Sequence, residues 1–284
     1  MTITYRHLLA VVTLLLASSP AFSQAQFGPP EKVATVYGQN IKYIEAGQGP
    51  AVILLHGLGA VKEVWAANIG GLSAKYHVYA IDQIGFGRSD KPLLEYKIVT
   101  FVDFLYGFMH SQNLSRATLV GNSLGGWIAL DFAARHPEMV DKLVLVDSAG
   151  LPWDKVPTVD LNPSSIADTR ALLESLFFDK KFVTEQFVLQ VFTGHVASND
   201  AYTIQRTLAG LAQNQFEDAK LASIKAPTLI VWGREDELIS AATGEKFRDA
   251  IPGAKLVVFP QCGHVPQIEK PKEFNNALME FLAK

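Results

Sequence analysis

The stretch "LVGNSLGGWIAL", Leu119 to Leu130, passes from an apolar run into a second apolar run, with a glycine-flanked serine between them. A Gly-x-Ser-x-Gly pattern alone arises by chance. Its flanks give it meaning: a strand before and a helix after force a tight corner at Ser123, which pushes Oγ out of the sheet. Gly121 and Gly125 remove side chains that would clash in that turn. A helix starting near Leu124 also aims its first free N–H at the space beside Oγ, where the positive end of its dipole favours negative charge.

The same rhythm extends in both directions. "TVYGQNIKYIEAG" reads as two short strands around a turn at Gly38, because β-branched and aromatic residues dominate it. Six further apolar runs read as strands: "AVILLHG", "HVYAIDQIG", "ATLVGNS", "KLVLVDS", "TLIVWGRED" and "KLVVFP". Helical spacing covers Trp65 to Tyr76, Phe101 to Gln112, Trp127 to Arg135, Gly244 to Ala250 and Lys272 to Leu282. Such alternation predicts an α/β fold: an eight-stranded, mainly parallel sheet with helices on both faces. Between Gly150 and Pro227 about 76 residues contain no apolar strand run. A structureless loop of that length is improbable. "ADTRALLESLFFD", "TEQFVLQVF" and "NDAYTIQRTLAGLAQ" look helical, so 151–224 is expected to be a helical cap inserted into a core made of 26–150 and 225–284.

The chain has 284 residues, 49% of them apolar, with a formal charge of −3. That charge provides no basic footprint for nucleic acid. Residues 1–25 read as a secretory signal peptide. Arg6 and His7 precede a ten-residue apolar run, Leu8 to Ala17, and small residues follow, with cleavage expected after Ser23 or Ala25. The run is too short to span a bilayer, so the mature protein is expected to be exported, periplasmic or secreted, with no stable membrane span. Cys262 is the single cysteine, which excludes an intrachain disulfide and suits a small packing residue.

A serine hydroxyl is a poor nucleophile without a base. Of seven histidines, His264 stands in "FPQCGHVPQIEKP", a loop after the last strand that reaches the same sheet edge as Ser123. The acid belongs on a loop after an intervening strand. Asp236, in "WGREDELIS", lies 28 residues before His264, flanked by Glu235 and Glu237, which read as solvated loop charges. Asp147 in "VLVDSAG" also ends a strand and is the rival, but the order Ser, Asp, His favours Asp236. Acyl transfer also needs donors for a developing oxyanion. "HGLG", His56 to Gly59, follows a strand, and Gly57 lets it bend so that the Leu58 amide faces that of Leu124. His56 is expected to anchor this loop by hydrogen bonding. No metal-ligand spacing occurs, and no cofactor is implied.

Together "LLHGLG", "DQIGFGRSD", "GNSLGGW", "WGREDELI" and "CGHVPQIEKP" resemble, in order and spacing, the motifs of the α/β-hydrolase fold superfamily. The resemblance implies a Ser123, Asp236, His264 triad with a cap. Asn122 before the serine is similar to the subgroup that hydrolyses carbon–carbon bonds in meta-cleavage ring-fission products. That subgroup carries a cap arginine and a tryptophan after the catalytic histidine, where this chain has apolar residues, near Val191 and at Val265. The expected activity is therefore cleavage of a carboxylic ester of a small or medium apolar substrate, with the cap aromatics Trp153, Phe177, Phe178, Phe187 and Phe192 nearby. Carbon–carbon cleavage of a diketone is the alternative, as is cofactor-free haloperoxidase or perhydrolase chemistry.

Overall fold

The computed structural model describes residues 29–152, 157–211 and 218–284, with side chains omitted at 218 and 219. The expected leader and Trp153 lie outside them. The strands are β1 (Glu31–Val36), β2 (Gln39–Ala46), β3 (Ala51–Leu55), β4 (His77–Ile81), β5 (Ala117–Asn122), β6 (Val140–Val146), β7 (Thr228–Gly233) and β8 (Lys255–Phe259). The helices are α1 (Ala66–Leu72), α2 (Ile98–Ser111), α3 (Leu124–Arg135), α4 (Ile166–Leu176), α5 (Glu185–Ser198), α6 (Ala201–Leu211), α7 (Asp218–Leu221), α8 (Ala241–Ala250), α9 (Pro266–Glu269) and α10 (Pro271–Leu282).

The eight strands form one sheet in the order β1-β2-β4-β3-β5-β6-β7-β8. β2 pairs antiparallel with β1 and β4, and every other pairing is parallel. β1 and β2 turn through Tyr37 and Gly38, both at positive φ (49° and 77°), the signature of a type I′ hairpin. The continuous apolar runs have a simple cause. Along β3, Ile53 and Leu55 enter one core while Val52 and Leu54 enter the other. Each face is covered: Phe101, Leu105 and Phe108 of α2 and Ile128 of α3 fill the first core, and Ile69 of α1 with Phe274 and Leu278 of α10 fill the second. A strand buried on both sides has no reason to alternate polar with apolar.

The segment between β6 and β7 contains helices α4 to α7 and, among the described residues, no strand. Ser165 caps α4 by accepting from the Asp168 amide, and Thr184 caps α5 by accepting from Phe187. α5 runs past Phe192, the end of the stretch read as helical, and stops at Ser198 because Asn199 takes the left-handed conformation (φ 55°). Among the described residues no helix is long and apolar enough to cross a membrane.

Candidate active site

Four strands, β3, β5, β7 and β8, deliver their following loops to one sheet edge. Ser123 sits between β5 and α3 at φ 54°, ψ −117°, a conformation costing about 1–3 kcal/mol that only rigid surroundings maintain. Those surroundings are visible. The Ser123 amide donates to the Val146 carbonyl at 2.9 Å, and the Ser123 carbonyl accepts from the Ala149 amide at 3.1 Å. A Cβ on Gly121 would run into the backbone of Gly125, and one on Gly125 would lie 2.6 Å from the His56 carbonyl. The two glycines are thus required by close approach of three backbone segments. Ser123 remains half-buried.

The residue before it, Asn122, is 4% exposed and donates from Nδ2 to the carbonyls of Val146 and His264, each at 3.1 Å. One amide side chain therefore clips the histidine loop to the serine corner. His264 is 3% exposed, and its Nδ1 lies 2.7 Å from Asp236 Oδ2. A carboxylate acceptor at that distance assigns the proton to Nδ1 and leaves Nε2 as the basic nitrogen. Asp236 is itself held, because its Oδ1 accepts from the amides of Leu238 (2.8 Å) and Ile239 (3.0 Å). Asp147 does not bond His264; its Oδ1 accepts from the Gly233 amide at 2.9 Å. Glu235 serves the backbone, accepting from the Cys262 amide at 3.1 Å, and Glu237 is exposed. Cys262 is fully buried, and burial pushes its thiol well up, so it is no thiolate nucleophile.

The loop after β3 completes the edge. A Cβ on Gly57 would lie 3.3 Å from Ser123 Cβ, so the loop runs directly beside the serine. No described residue accepts a hydrogen bond from the Leu58 or Leu124 amide. His56 is fully buried and burial lowers its basicity. Its Nδ1 donates to the Gly57 carbonyl at 2.7 Å, and its Nε2 accepts from the Gln83 amide at 3.1 Å. Both nitrogens are occupied, so His56 braces the loop and has no free site for proton transfer.

Three groups escaped sequence reasoning. Gln83 grips His56 a second time, donating from Nε2 to its carbonyl at 2.8 Å. Behind it lies an ion cluster in which Lys62 Nζ, fully buried, contacts Asp82 (2.7 Å), Glu31 (2.8 Å) and Glu63 (3.3 Å). Asp82 also accepts from the Lys62 and Arg88 amides, which locks the 56–63 and 82–90 loops together. Asp82 and Gln83 stand in "DQIGFGRSD", which was legible as a motif but silent about its partners.

The third is Glu269, 8% exposed, whose carboxylate accepts from Gly263 (2.7 Å), Asp179 (2.7 Å) and Phe178 (3.3 Å). The His264 amide meanwhile donates to Leu176 at 2.8 Å. The end of α4 and the histidine loop therefore form one hydrogen-bonded unit. Beside them Val265 packs with Leu173, Phe177, Phe182, Phe187, Val188 and Val191, whereas Phe178 is 40% exposed. Glu269→Ala strands three backbone donors, and an unsatisfied buried group costs about 1–3 kcal/mol. The expected loss is about 2–3 kcal/mol in urea unfolding, with faster amide hydrogen exchange at Phe178 and Asp179. Unchanged stability would show that this strap carries no weight.

Comparison with known proteins agrees with this fold. The model of the alpha/beta hydrolase family matches residues 52–277. A 2-hydroxy-6-oxo-6-(2'-aminophenyl)hexa-2,4-dienoic acid hydrolase of Metapseudomonas resinovorans is 33% identical, with 89% of this chain and 91% of that protein covered. Among solved structures, a meta-cleavage product hydrolase from Pseudomonas fluorescens superposes with a TM-score of 0.84 at 29% identity, covering 89% of this chain and 97% of the other. A membrane phospholipase A superposes with a TM-score of 0.82 at 30% identity, covering 90% and 86%.

Proposed function

Since this chain belongs to the alpha/beta hydrolase family and is a hydrolase as its relatives are, we propose that it is an exported serine hydrolase of carboxylic esters with small or medium apolar substituents. Ser123 Oγ attacks the ester carbonyl carbon while His264 Nε2 takes its proton. Asp236 orients the imidazole, and the Leu58 and Leu124 amides receive the oxyanion. Collapse of the tetrahedral intermediate breaks the bond to the leaving alkoxide, which takes the proton from His264. Water then repeats the sequence on the acyl-enzyme, releasing the carboxylic acid and free Ser123.

The observation that carries the choice of ester is the apolar cluster joining Val265 to Val191 beside His264. An anionic substrate group against these apolar side chains would lose hydration and gain no hydrogen bond from them, a large penalty. An apolar acyl or alkyl group would instead gain about 25 cal/mol for each Å² removed from water. Similarity to a membrane phospholipase A, by name an ester hydrolase, supports the same choice.

A second reading, carbon–carbon cleavage of a meta-cleavage-type diketone, is favoured by Asn122 and by the dienoic acid hydrolase relative. One experiment separates them: protein recovered from the periplasmic fraction is offered p-nitrophenyl butyrate and a ring-cleavage dienoate in parallel. Rapid ester turnover with negligible dienoate cleavage is expected. The reverse pattern would place the enzyme with the carbon–carbon hydrolases, and activity confined to the cytoplasm would remove the export assignment.

A further inference from the structure

Asp147, the carboxylate left unused by the triad, is fully buried at the end of β6. Its Oδ1 is satisfied by the Gly233 amide at 2.9 Å, while its Oδ2 is buried and faces no donor. A carboxylate oxygen from each of Asp147 and Asp236 and a ring nitrogen of His264 all lie within 4.8 Å of one another. The Asp147 backbone is at φ 42°, an unusual conformation for a residue other than glycine, which persists where the surroundings over-determine it.

Asp236 faces Asp147 from the β7–α8 loop, Glu269 from α9, and His264 and Cys262 from the β8–α9 loop. No lysine or arginine pairs with it among the described residues. Two carboxylates this close, away from water, do not both ionise. Asp236 already accepts from His264 and two amides, so the shared proton belongs on Asp147. Burial, followed by the Asp236 charge, holds the Asp147 carboxyl well above the usual carboxylate range.

We propose that Asp147 is a neutral carboxylic acid whose Oδ2–H donates a hydrogen bond to Asp236, making it a positioning residue of the His264–Asp236 pair. This rests on the triad assignment above. The bond gives Asp236 a further anchor from the end of β6, in addition to those from His264, Leu238 and Ile239. It also adds no second negative charge, which would hold a proton on the imidazole when a free base is required.

Asp147→Asn is the decisive variant, because its amide retains a donor toward Asp236 and an acceptor for Gly233 but carries no titratable proton. The folded wild type keeps a proton that the unfolded chain releases above about pH 4, so its stability falls as pH rises from there. The asparagine variant lacks that loss. Its melting temperature relative to wild type is therefore expected to climb between pH 4 and pH 7, and a flat difference would overturn the proposal.

The acid limb of kcat/KM for p-nitrophenyl butyrate is expected to stay in place in Asp147→Asn. If Asp147 were an anion, its neutralisation would move that limb down by about one unit or more, which also overturns the proposal. Asp147→Leu, with no donor, is expected to lose about tenfold or more in kcat while KM holds within about twofold. Wild-type kcat in a folded Asp147→Leu protein would count against the bond, and if that variant does not fold, the two asparagine measurements decide. Fluorophosphonate labelling is run on the wild type alongside. Failure to modify Ser123 there would reject the triad assignment, and the melting comparison, which needs no activity, would still judge the proton on Asp147.

Discussion

Ser123→Ala is expected to lower kcat for p-nitrophenyl butyrate by about 10⁴-fold or more, since removal of a triad nucleophile leaves only the oxyanion donors and binding. The protein is expected to fold normally. The corner is held by backbone hydrogen bonds from Ser123 to Val146 and from Ala149 to Ser123, and by Gly121 and Gly125, none of which uses Oγ. Alanine places a Cβ where serine already has one, so melting temperature should change little. Circular dichroism and the melting curve check the fold, and stopped ester hydrolysis with lost fluorophosphonate labelling checks the chemistry. Retention of more than about a tenth of wild-type kcat would mean that another group attacks the ester. Cys262, its thiol buried and pushed up, is a poor substitute.

Lys62→Met is expected to destabilise the protein by about 3–5 kcal/mol at pH 7, because it leaves a buried carboxylate without its cation. Lys62 and Asp82 are both fully buried and 2.7 Å apart. Arg88 remains to pair with Glu31 and Glu63, so the unpaired charge falls on Asp82. Burial pushes the Asp82 carboxyl up, but the Lys62 charge and its hydrogen bond outweigh that, and the net position lies below the ordinary one. Burial likewise opposes the charge on Lys62, yet its acidic partners leave the ammonium above its ordinary value.

A depressed acid contributes stability above about pH 4 and loses it as pH falls through the folded value. A raised lysine contributes below about pH 10.4 and loses it as pH rises. The pair therefore stabilises across the whole neutral range. Urea unfolding at pH 7 and pH 3 measures this: the deficit of Lys62→Met is expected to shrink in acid, where Asp82 takes a proton. An equal deficit at both pH values would assign the loss to packing and not to charge. Because the 56–63 loop carries Leu58, the same variant is also expected to lower kcat.

Much of the site was legible because its signals are local. Ser123 lay between two glycines with a buried strand before it and a helix after it, and the corner followed from sterics. Chain order favoured Asp236 over Asp147, and the 2.7 Å contact with His264 falls on Asp236. Less was legible where partners are distant in the chain. Glu269 looked like one more charge before the last helix, yet it accepts from amides some 90 residues earlier. Helix ends were blurred where the apolar pattern thins, as after Phe192 within α5.

The sequence by itself determined the alternation of strand and helix, the glycine-framed corner and the order of serine, aspartate and histidine. These follow from periodicity and backbone sterics, which act over a few residues. The tertiary structure alone decided that Asn122 clips the His264 loop, that Glu269 ties the residues after α4 to it, that Lys62 neutralises Asp82, and that Asp147 sits against Asp236. Each is a contact between residues remote in the chain, and burial sets its strength: away from water a charge or a hydrogen-bonding group depends on whichever partner the fold brings beside it.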